Sequence, residues 1–463
     1  LTTEAAAPAD LRGRRISPAG DRSWAIAVFL LAALVATVFT QRHVDKDHMD
    51  HMGEEPMVAI HVAQGHGFRT PLDPTPSAEV TAWVPPGYPL VAAAAFKLFG
   101  IESTASFRVL IELNCVCYGL MVAGVFVIGQ MTMSRPAGLI GAALVVANPL
   151  YLLLVHRIWD TYIAQALLVW LTVAALQSSA VGATWKRLAI VGVGLGVLVQ
   201  FNGSFVFVAP VLVWMAVRDA PLKRWIPLAA VSAIAFGVVL LPWTARNYVR
   251  FHQLMYVRRG AELEMYLGNR PNSTGWQDLT DHPAVYAPER TRMLAMGEAA
   301  YFADCNRRFL ANYHADPAAY WRRTAKRCLL LVVGEPNSRP MEWKSAGAWL
   351  ARGRLAVDLS IFALGVAGLV LAACLRYRTG WMVPLSLASV VPYVISHINY
   401  RFSMQVKLFL LLMIGFLIWA AWRRVQDGAW PPGRATRLSE EQLPAEAGGP
   451  VGRDRLTGPG RRP

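Results

Sequence analysis

The chain has 463 residues, of which 55% are hydrophobic and only 16% charged, whereas a soluble protein carries about 25% charged residues. That balance excludes an ordinary soluble enzyme. The net charge of +15 does not point to nucleic acid either, because the basic residues flank apolar runs as they do on the cytoplasmic side of membrane spans.

Arg12, Arg14, Arg15 and Arg22 precede the first apolar run, residues 23–40. The basic flank resembles that of a secretory signal, but the apolar part is long and ends in VFTQRHV, without a small-x-small cleavage site. An uncleaved anchor is expected. Further runs follow at 108–131, 137–155, 162–178, 188–203, 205–217, 225–244, 355–375, 380–397 and 404–422. They are continuous rather than alternating, so the spans are helices. FNGS (201–204) must turn the chain between two short ones. Arg135, Lys186, Arg187, Arg218, Lys223, Arg224, Arg376, Arg378, Arg423 and Arg424 fall in alternate connections. The expectation is an all-α polytopic membrane protein of about ten transmembrane helices with both termini cytoplasmic.

The domain reading follows. Residues 1–22 form a basic cytoplasmic tail, and 23–244 a membrane core that includes an outer loop at 41–107. Residues 245–354 form a helical extracytoplasmic domain and 355–424 the last membrane helices. The tail 425–463, with its PPG, GGP and GPG clusters, is expected to be disordered. In the outer domain Phe302, Cys305, Phe309 and Tyr313 recur at helical spacing, which predicts one buried face. Asp316–Pro317 reads as an N-cap with proline at the first helical position. CLLLVV (328–333) is too short to cross and is expected along the interface. Cys115, Cys117 and Cys374 sit in apolar runs, so five cysteines make no disulfide framework. Only Cys305 and Cys328 could pair in an oxidising compartment.

The first loop opens with VDKDHMDHMGEEPMVAIHVAQGHGFRTPL (44–72), five acids and two histidines before Pro56. Pro56 suits the first turn of a helix that Gly65 and Gly67 would end. Val58, Ala59, Ile60, Val62 and Ala63 would share its apolar side and His61 and Gln64 the other, as in a short amphipathic helix on a membrane surface. Glu54 and Glu55 would sit at its N-terminus, where the helix dipole favours a charged carboxylate. They either cap a hydrated helix or form a site. Asp45, Asp47, His48, Asp50 and His51 offer metal ligands, the carboxylates for Mg or Mn and the imidazoles for Zn. Their spacing matches no closed zinc site, and a hydrated loop is the commoner explanation.

GHGFRTPLDPTPSAEVTAWVPPGYPLVAAAAFKLFG (65–100) comes next. An acid opening a short helix, then G-x-G-F, then W-x-P-P-G-Y-P and an apolar run ending in F-G, resembles the first outer loop of GT-C membrane glycosyltransferases. Within them it is similar to the bacterial branch of aminoarabinose transferases and relatives of protein O-mannosyltransferases. NPLYLLLVHRIWDT (148–161), LPWTARNYVRFHQLMYVRRGAELEMYLGN (241–269), GEAAYFADCNRRFLANYHADPAAYWRRTAKR (297–327) and HINYRFSMQV (397–406) resemble that family's later segments in the same order. The match covers most of residues 23–422. The chain departs from the family where Ser403 or Met404 replaces a usual Pro, and where Trp83 and Val84 precede the paired prolines in place of a basic residue.

The resemblance implies a polyprenyl-phosphate-sugar donor, membrane lipid around it, and inverting transfer to the hydroxyl of a lipid, glycan or protein acceptor at the bacterial inner (cell) membrane. It leaves open a divalent cation. A hydroxyl is a weak nucleophile and needs a carboxylate base. The departing phosphate needs cations. The resemblance puts Glu54 in the basic role, with Glu55 close behind and Asp160 as a second acid. A bare N-cap of the WDT helix would explain Asp160 as well. Arg157, Arg246 and Arg401 suit phosphate oxygens, and interfacial snorkelling is the alternative. His397 and Tyr400 cluster with Arg401. Tyr88, in WVPPGYP, would shape the acceptor cleft, unless the prolines serve rigidity alone.

Two rival readings remain. A transporter or lipid flippase would carry ionisable residues near the midplane of its spans, and Glu112 lies nearer an end. No internal repeat appears, although such repeats are common in transporters. A silent membrane scaffold would bind lipid without consuming it.

Overall fold

The computed structural model describes residues 18–43, 53–334 and 348–431. The candidate metal ligands of DKDHMDH, the first part of the basic tail and the tail from 432 lie outside them.

Helix α1 (Pro18–His43) is the first apolar run, α2 (Glu54–Ala63) the helix of the first loop, and α3 (Gly87–Phe99) follows the paired prolines. Ser103 Oγ accepts from Ser106 N at 3.1 Å and starts α4 (Thr104–Thr132). Ser134 caps α5 (Arg135–Ala147), which stops at Asn148. The Asn148 side chain then caps α6 (Pro149–Leu154). The span expected at 137–155 is therefore a broken helix, since Pro149 brings no N–H to continue the ladder. α7 (Thr161–Val181) and α8 (Trp185–Phe201) follow. Asn202 Oδ1 then accepts from Ser204 N at 3.1 Å. That turns FNGS, as expected, into a tight Gly203–Val208 stretch and α9 (Ala209–Val217). α10 (Trp225–Phe251) ends at His252, whose φ is +53°.

A polar segment then folds as α11 (Ala261–Gly268), α12 (Ala287–Met296), α13 (Glu298–Ala315) and α14 (Pro317–Val333). Asp316 Oδ1 accepts from Ala319 N at 2.8 Å, so the expected cap forms. CLLLVV continues α14, which packs on α15 (Ala348–Cys374) and α16 (Met382–Ile395). α17 (Met404–Asp427) completes the chain.

Six helices, α1, α4, α7, α10, α15 and α17, include segments long and apolar enough to cross a membrane. The other four expected crossings are the shorter α5, α8, α9 and α16. Among the described residues there is no strand, only two isolated bridges. The chain is an integral membrane protein of the all-α polytopic class. All five cysteines are free.

Small residues let the membrane helices approach closely, which is how packing gains dispersion energy where lipid leaves little hydrophobic drive. A Cβ added at Gly415 of α17 would come within 2.5 Å of Gly141 N of α5. Polar side chains also bind helices together. Thr37 Oγ1 of α1 donates to Glu112 of α4 at 2.8 Å. Lys407 of α17 meets Asp358 of α15 at 2.8 Å, both buried, an ion pair inside spans that the sequence reading did not single out.

Helix α2 of the first loop packs against neighbours on two sides. Val58 and Ala59 of α2 are fully buried on two sides. Val58 packs with Trp83, Leu263, Tyr301 and Phe302 of the polar layer. Ala59 packs with Tyr88, Ala92, Phe96 and Ile158 beneath. His61, expected on the polar side, is 3% exposed and binds Asp73 O at 2.9 Å. Burial beneath the loop has replaced solvent, and pulls its pKa down.

Glu298, at the start of α13, docks the loop. Its carboxylate accepts from Thr81 Oγ1 and from Ala82 N at 3.2 Å, while Glu79 Oε2 accepts from Glu298 N at 2.8 Å. Burial outweighs those two hydrogen bonds and, with Glu79 beside it, pushes Glu298 up to about 7. A folded-state pKa above the unfolded value of 4.5 means that the native state holds the proton longer. Its contribution is full below pH 4.5 and is lost as pH rises through about 7. Amide exchange at 79–83 is expected to quicken across that window, and Glu298→Gln is expected to flatten the dependence. Equal pH dependence in the two proteins would show that this carboxyl is not the docking group.

Candidate active site

α2 begins without a side-chain cap, since Gly53 precedes it. Its first turn instead carries Glu54 and Glu55 to the place where α7, α8 and α17 reach the polar layer. A Cβ on Gly53 would stand 3.2 Å from Trp159 Nε1 and 3.3 Å from Glu55 Oε2, so the turn presses on the segment before α7.

Asp160 stands at the head of α7 and is buried. It makes no side-chain cap bond. Its Oδ2 accepts from Asn202 Nδ2 at 2.8 Å, from the turn after α8. The capping explanation for Asp160 therefore fails. Burial raises its pKa, opposed first by Arg401 and then by Asn202 and Arg258.

Glu55 is half-buried beside it. Burial first, then the charges of Asp160 and Glu54, push it up to about 8, with Arg401 opposing. Glu55 therefore carries a proton at neutral pH. Burial raises both acids of the pair, with Asp160 also held by a cation and an amide, and such perturbed neighbouring carboxyls mark reactive sites.

Arg401 is presented by a short turn before α17, in which Asn399 Oδ1 accepts from Arg401 N at 3.0 Å. Its guanidinium lies 4.8 Å from the centre of the Trp159 ring and 5.0 Å from that of Phe402, and its Nε has no hydrogen-bond partner. Arg157, also buried, sits 5.7 Å from the Trp159 centroid, so one indole carries both cations. Tyr88 is fully buried, with an unpartnered hydroxyl in electrostatic range of Glu55 and Asp160.

A second row of acid and imidazole lies against the first. Glu54 Oε1 is 3.6 Å from His282 Nε2. Glu264 of α11 is 3.5 Å from His397 Nδ1 and 3.6 Å from Arg258. His397, Arg258 and His282 hold Glu264 below the usual carboxylate range despite its burial, and burial lowers His397. Gly268 closes this row. A Cβ there would fall 1.9 Å from Ser396 O, so only glycine lets α11 meet the segment that carries His397.

The structure sets two of the expected residues apart. Arg246 Nη1 donates to Thr81 O at 2.8 Å and to Asn247 Oδ1 at 2.9 Å, and its guanidinium lies over Trp243, Phe68 and Phe251. It clamps the first loop to the end of α10. Tyr400 accepts from Arg354, and its ring meets Trp276 at 4.7 Å. Asn202, Arg258, Glu264 and His282 were not foreseen. Only FNGS, already read as a turn, held a local sign. Among the described residues no three His, Cys, Asp or Glu side chains are arranged to hold a metal ion. Asp160 and Glu55 already face the Arg401 cation.

The sequence matches no family model and no curated protein. Its fold does match solved structures. An oligosaccharyltransferase of Archaeoglobus fulgidus, tethered with an acceptor peptide, aligns with 90% of this chain and 53% of its own at 14% identity and a TM-score of 0.52. The oligosaccharyltransferase AglB of Archaeoglobus fulgidus, in complex with an inhibitory peptide and a dolichol-phosphate, aligns with 90% and 54% at 16% identity and 0.50. ArnT of Cupriavidus metallidurans, bound to undecaprenyl phosphate, aligns with 87% and 79% at 13% identity and 0.40. The chain thus spans about half the length of the archaeal proteins. What is shared with the two archaeal proteins is the fold.

Proposed function

We propose that this chain is an integral-membrane glycosyltransferase that moves a sugar from a polyprenyl-phosphate donor to a hydroxyl acceptor on the extracytoplasmic face of the bacterial cell membrane. One observation carries the reading. Glu54, Glu55, Asp160 and Arg401 converge from three distant parts of the chain where the membrane helices meet the polar layer. They do so in a fold shared with a protein that holds a dolichol-phosphate.

In this mechanism Glu54 takes the proton of the acceptor hydroxyl as its oxygen attacks the anomeric carbon. The bond between that carbon and the phosphate oxygen breaks on the opposite face, and its electron pair leaves with the lipid phosphate. The configuration inverts. Arg401 and Arg157, both beside Trp159, face the growing charge. Asp160, fixed by Asn202, aims Arg401. Glu55, protonated, adds no further negative charge beside the phosphate. His397 joins the site through Glu264, and Tyr88 lies in electrostatic range of Glu55 and Asp160.

The test uses the full chain in lipid nanodiscs with a short-chain polyprenyl-phosphate-mannose or polyprenyl-phosphate-arabinose and cell-envelope lipid as acceptor. Acceptor-dependent release of the polyprenyl phosphate is the expected result. The buried Lys407–Asp358 pair is what a transporter reading would rest on. Movement of the intact donor across sealed vesicles without its consumption would favour that reading.

A second outcome follows from Glu55. Transfer is expected to decline above about pH 8, as Glu55 ionises beside Asp160 and Glu54. Glu55→Gln, which copies the protonated acid, is expected to remove that alkaline decline and to cost less than roughly tenfold in rate, far below what loss of a general base costs. An unchanged alkaline limb in Glu55→Gln would place the titrating group elsewhere.

A further inference from the structure

We infer that His282 is a positioning residue, a hydrogen-bond donor of fixed tautomer that aims the Glu54 carboxylate. The choice of Glu54 follows from its reading as the base, but the contact itself stands on the geometry of the loop between α11 and α12.

That loop is locked around the histidine. His282 N donates to Leu279 O at 3.0 Å, and His282 O accepts from Val285 N at 2.8 Å and Tyr286 N at 2.7 Å. The ring is part of the turn as well, because Ala284 N donates to His282 Nδ1 at 3.2 Å. A backbone N–H can only donate, so Nδ1 must present its lone pair. A neutral imidazole then carries its proton on Nε2, the atom that faces Glu54 Oε1 at 3.6 Å.

The ring has nowhere else to go. His282 is 5% exposed. One side meets Trp83 at 5.8 Å between centroids, and Trp83 is held edge-on against Phe302 at 5.6 Å. Glu54, by contrast, is 30% exposed in its side chain and stands on the first turn of α2, so rotation of the carboxylate closes the gap. Catalytic hydrogen bonds are often long in the ligand-free state and shorten in the complex.

The same geometry excludes a proton relay. To accept a proton from Glu54, His282 would have to use Nδ1 and leave the Ala284 N–H without its acceptor. The imidazole therefore lends a hydrogen bond and does not take the proton. Other charges surround the pair. Glu55 faces Glu54 from its own helix and Arg401 from the turn before α17. Glu264 of α11 and His397 face His282 from the other side. A donor to the ionised form makes a carboxylate a weaker base but a better oriented one.

The test needs no identified substrate. The protein in nanodiscs is examined by difference infrared spectroscopy, with the Glu54 carboxylate stretch assigned by its loss in Glu54→Gln. In His282→Asn the amide oxygen falls where Nδ1 was and keeps the Ala284 bond, but nothing reaches Glu54. The Glu54 carboxylate stretch is expected to shift, as for loss of one hydrogen bond to a charged group. An unmoved band overturns the inference. Should amide exchange at 284–286 show the turn lost in the Asn variant, His282→Gln decides. Its amide N–H reaches the place of Nε2, so a band at the wild-type position supports the role, and one displaced as far as in His282→Ala overturns it. The base reading is judged separately, by whether Glu54→Gln still transfers sugar.

Discussion

Glu54→Gln is expected to lower sugar transfer by roughly 10²- to 10⁴-fold while the protein stays folded in the membrane, the range over which a general base contributes. The substitution keeps size and polarity. Glu54 is half-exposed at the open end of α2, so no core contact is lost and no buried group is left unpaired. What disappears is the lone pair that takes the acceptor proton. Donor binding is expected to survive, because Arg401 and Arg157 remain on Trp159. The measurement is the rate of polyprenyl-phosphate release beside the affinity for the donor. A variant that transfers at the wild-type rate would remove Glu54 from the mechanism. One that loses donor affinity and rate together would make it a binding group.

Arg327→Met is expected to destabilise the protein by about 2–5 kcal/mol, the consequence of leaving buried neutral acceptors unpaired. Arg327 on α14 is completely buried. Its Nη1 donates to Val394 O at 3.2 Å and Ile395 O at 3.1 Å, and its Nη2 to Gly268 O and to Asn269 Oδ1 at 2.7 Å. None of the four acceptors is a carboxylate. They are the last carbonyls of α16 and α11 and an asparagine side chain beside them. Those carbonyls have no partner within their own helices and lie at the negative ends of two helix dipoles. One guanidinium satisfies both ends, and so joins the polar layer to the membrane helices at the point where Gly268 packs on Ser396.

Methionine fills the space and leaves Val394 O and Gly268 O without the guanidinium, at about 1–3 kcal/mol for each that cannot find water, while Ile395 O keeps Asn269 Nδ2 at 3.2 Å. Glu264 precedes this joint on α11, and His397 and Arg401 follow it, so transfer is expected to fall with stability. Arg327→Lys is expected to recover only part, since an ammonium lacks the fork that reaches both helix ends. Thermal unfolding in detergent, with amide exchange at 394–400, checks this. A Met variant that unfolds at the wild-type temperature would show that water or a shifted side chain replaces the guanidinium.

The two residues differ in how far the sequence announces them. Glu54 has local signs. It stands before Pro56 and a run of helical spacing, after an apolar span, and in front of a family-like G-x-G-F. Arg327 has none, because its partners are carbonyls supplied by residues 268 and 394–395, and a carbonyl is the same on every residue. His282 is alike in this. Its tautomer follows from Ala284 two residues on, but its target lies on α2, more than two hundred positions earlier in the chain.

From the sequence alone come the helical spans and the break at FNGS. So do the cap at Asp316 and the bounds of α2 between Pro56 and Gly65. All of these follow from short-range rules, in which residues a few places apart share a helix face or a cap. Tertiary structure decided the rest. It turned His61 inward onto Asp73 and gave Asp160 to Asn202 rather than to its own helix. It also took Arg246 and Tyr400 to other partners. The physical reason is that a buried polar group must be satisfied by whatever lies opposite. What lies opposite is set by how distant helices cross, which no local spacing encodes.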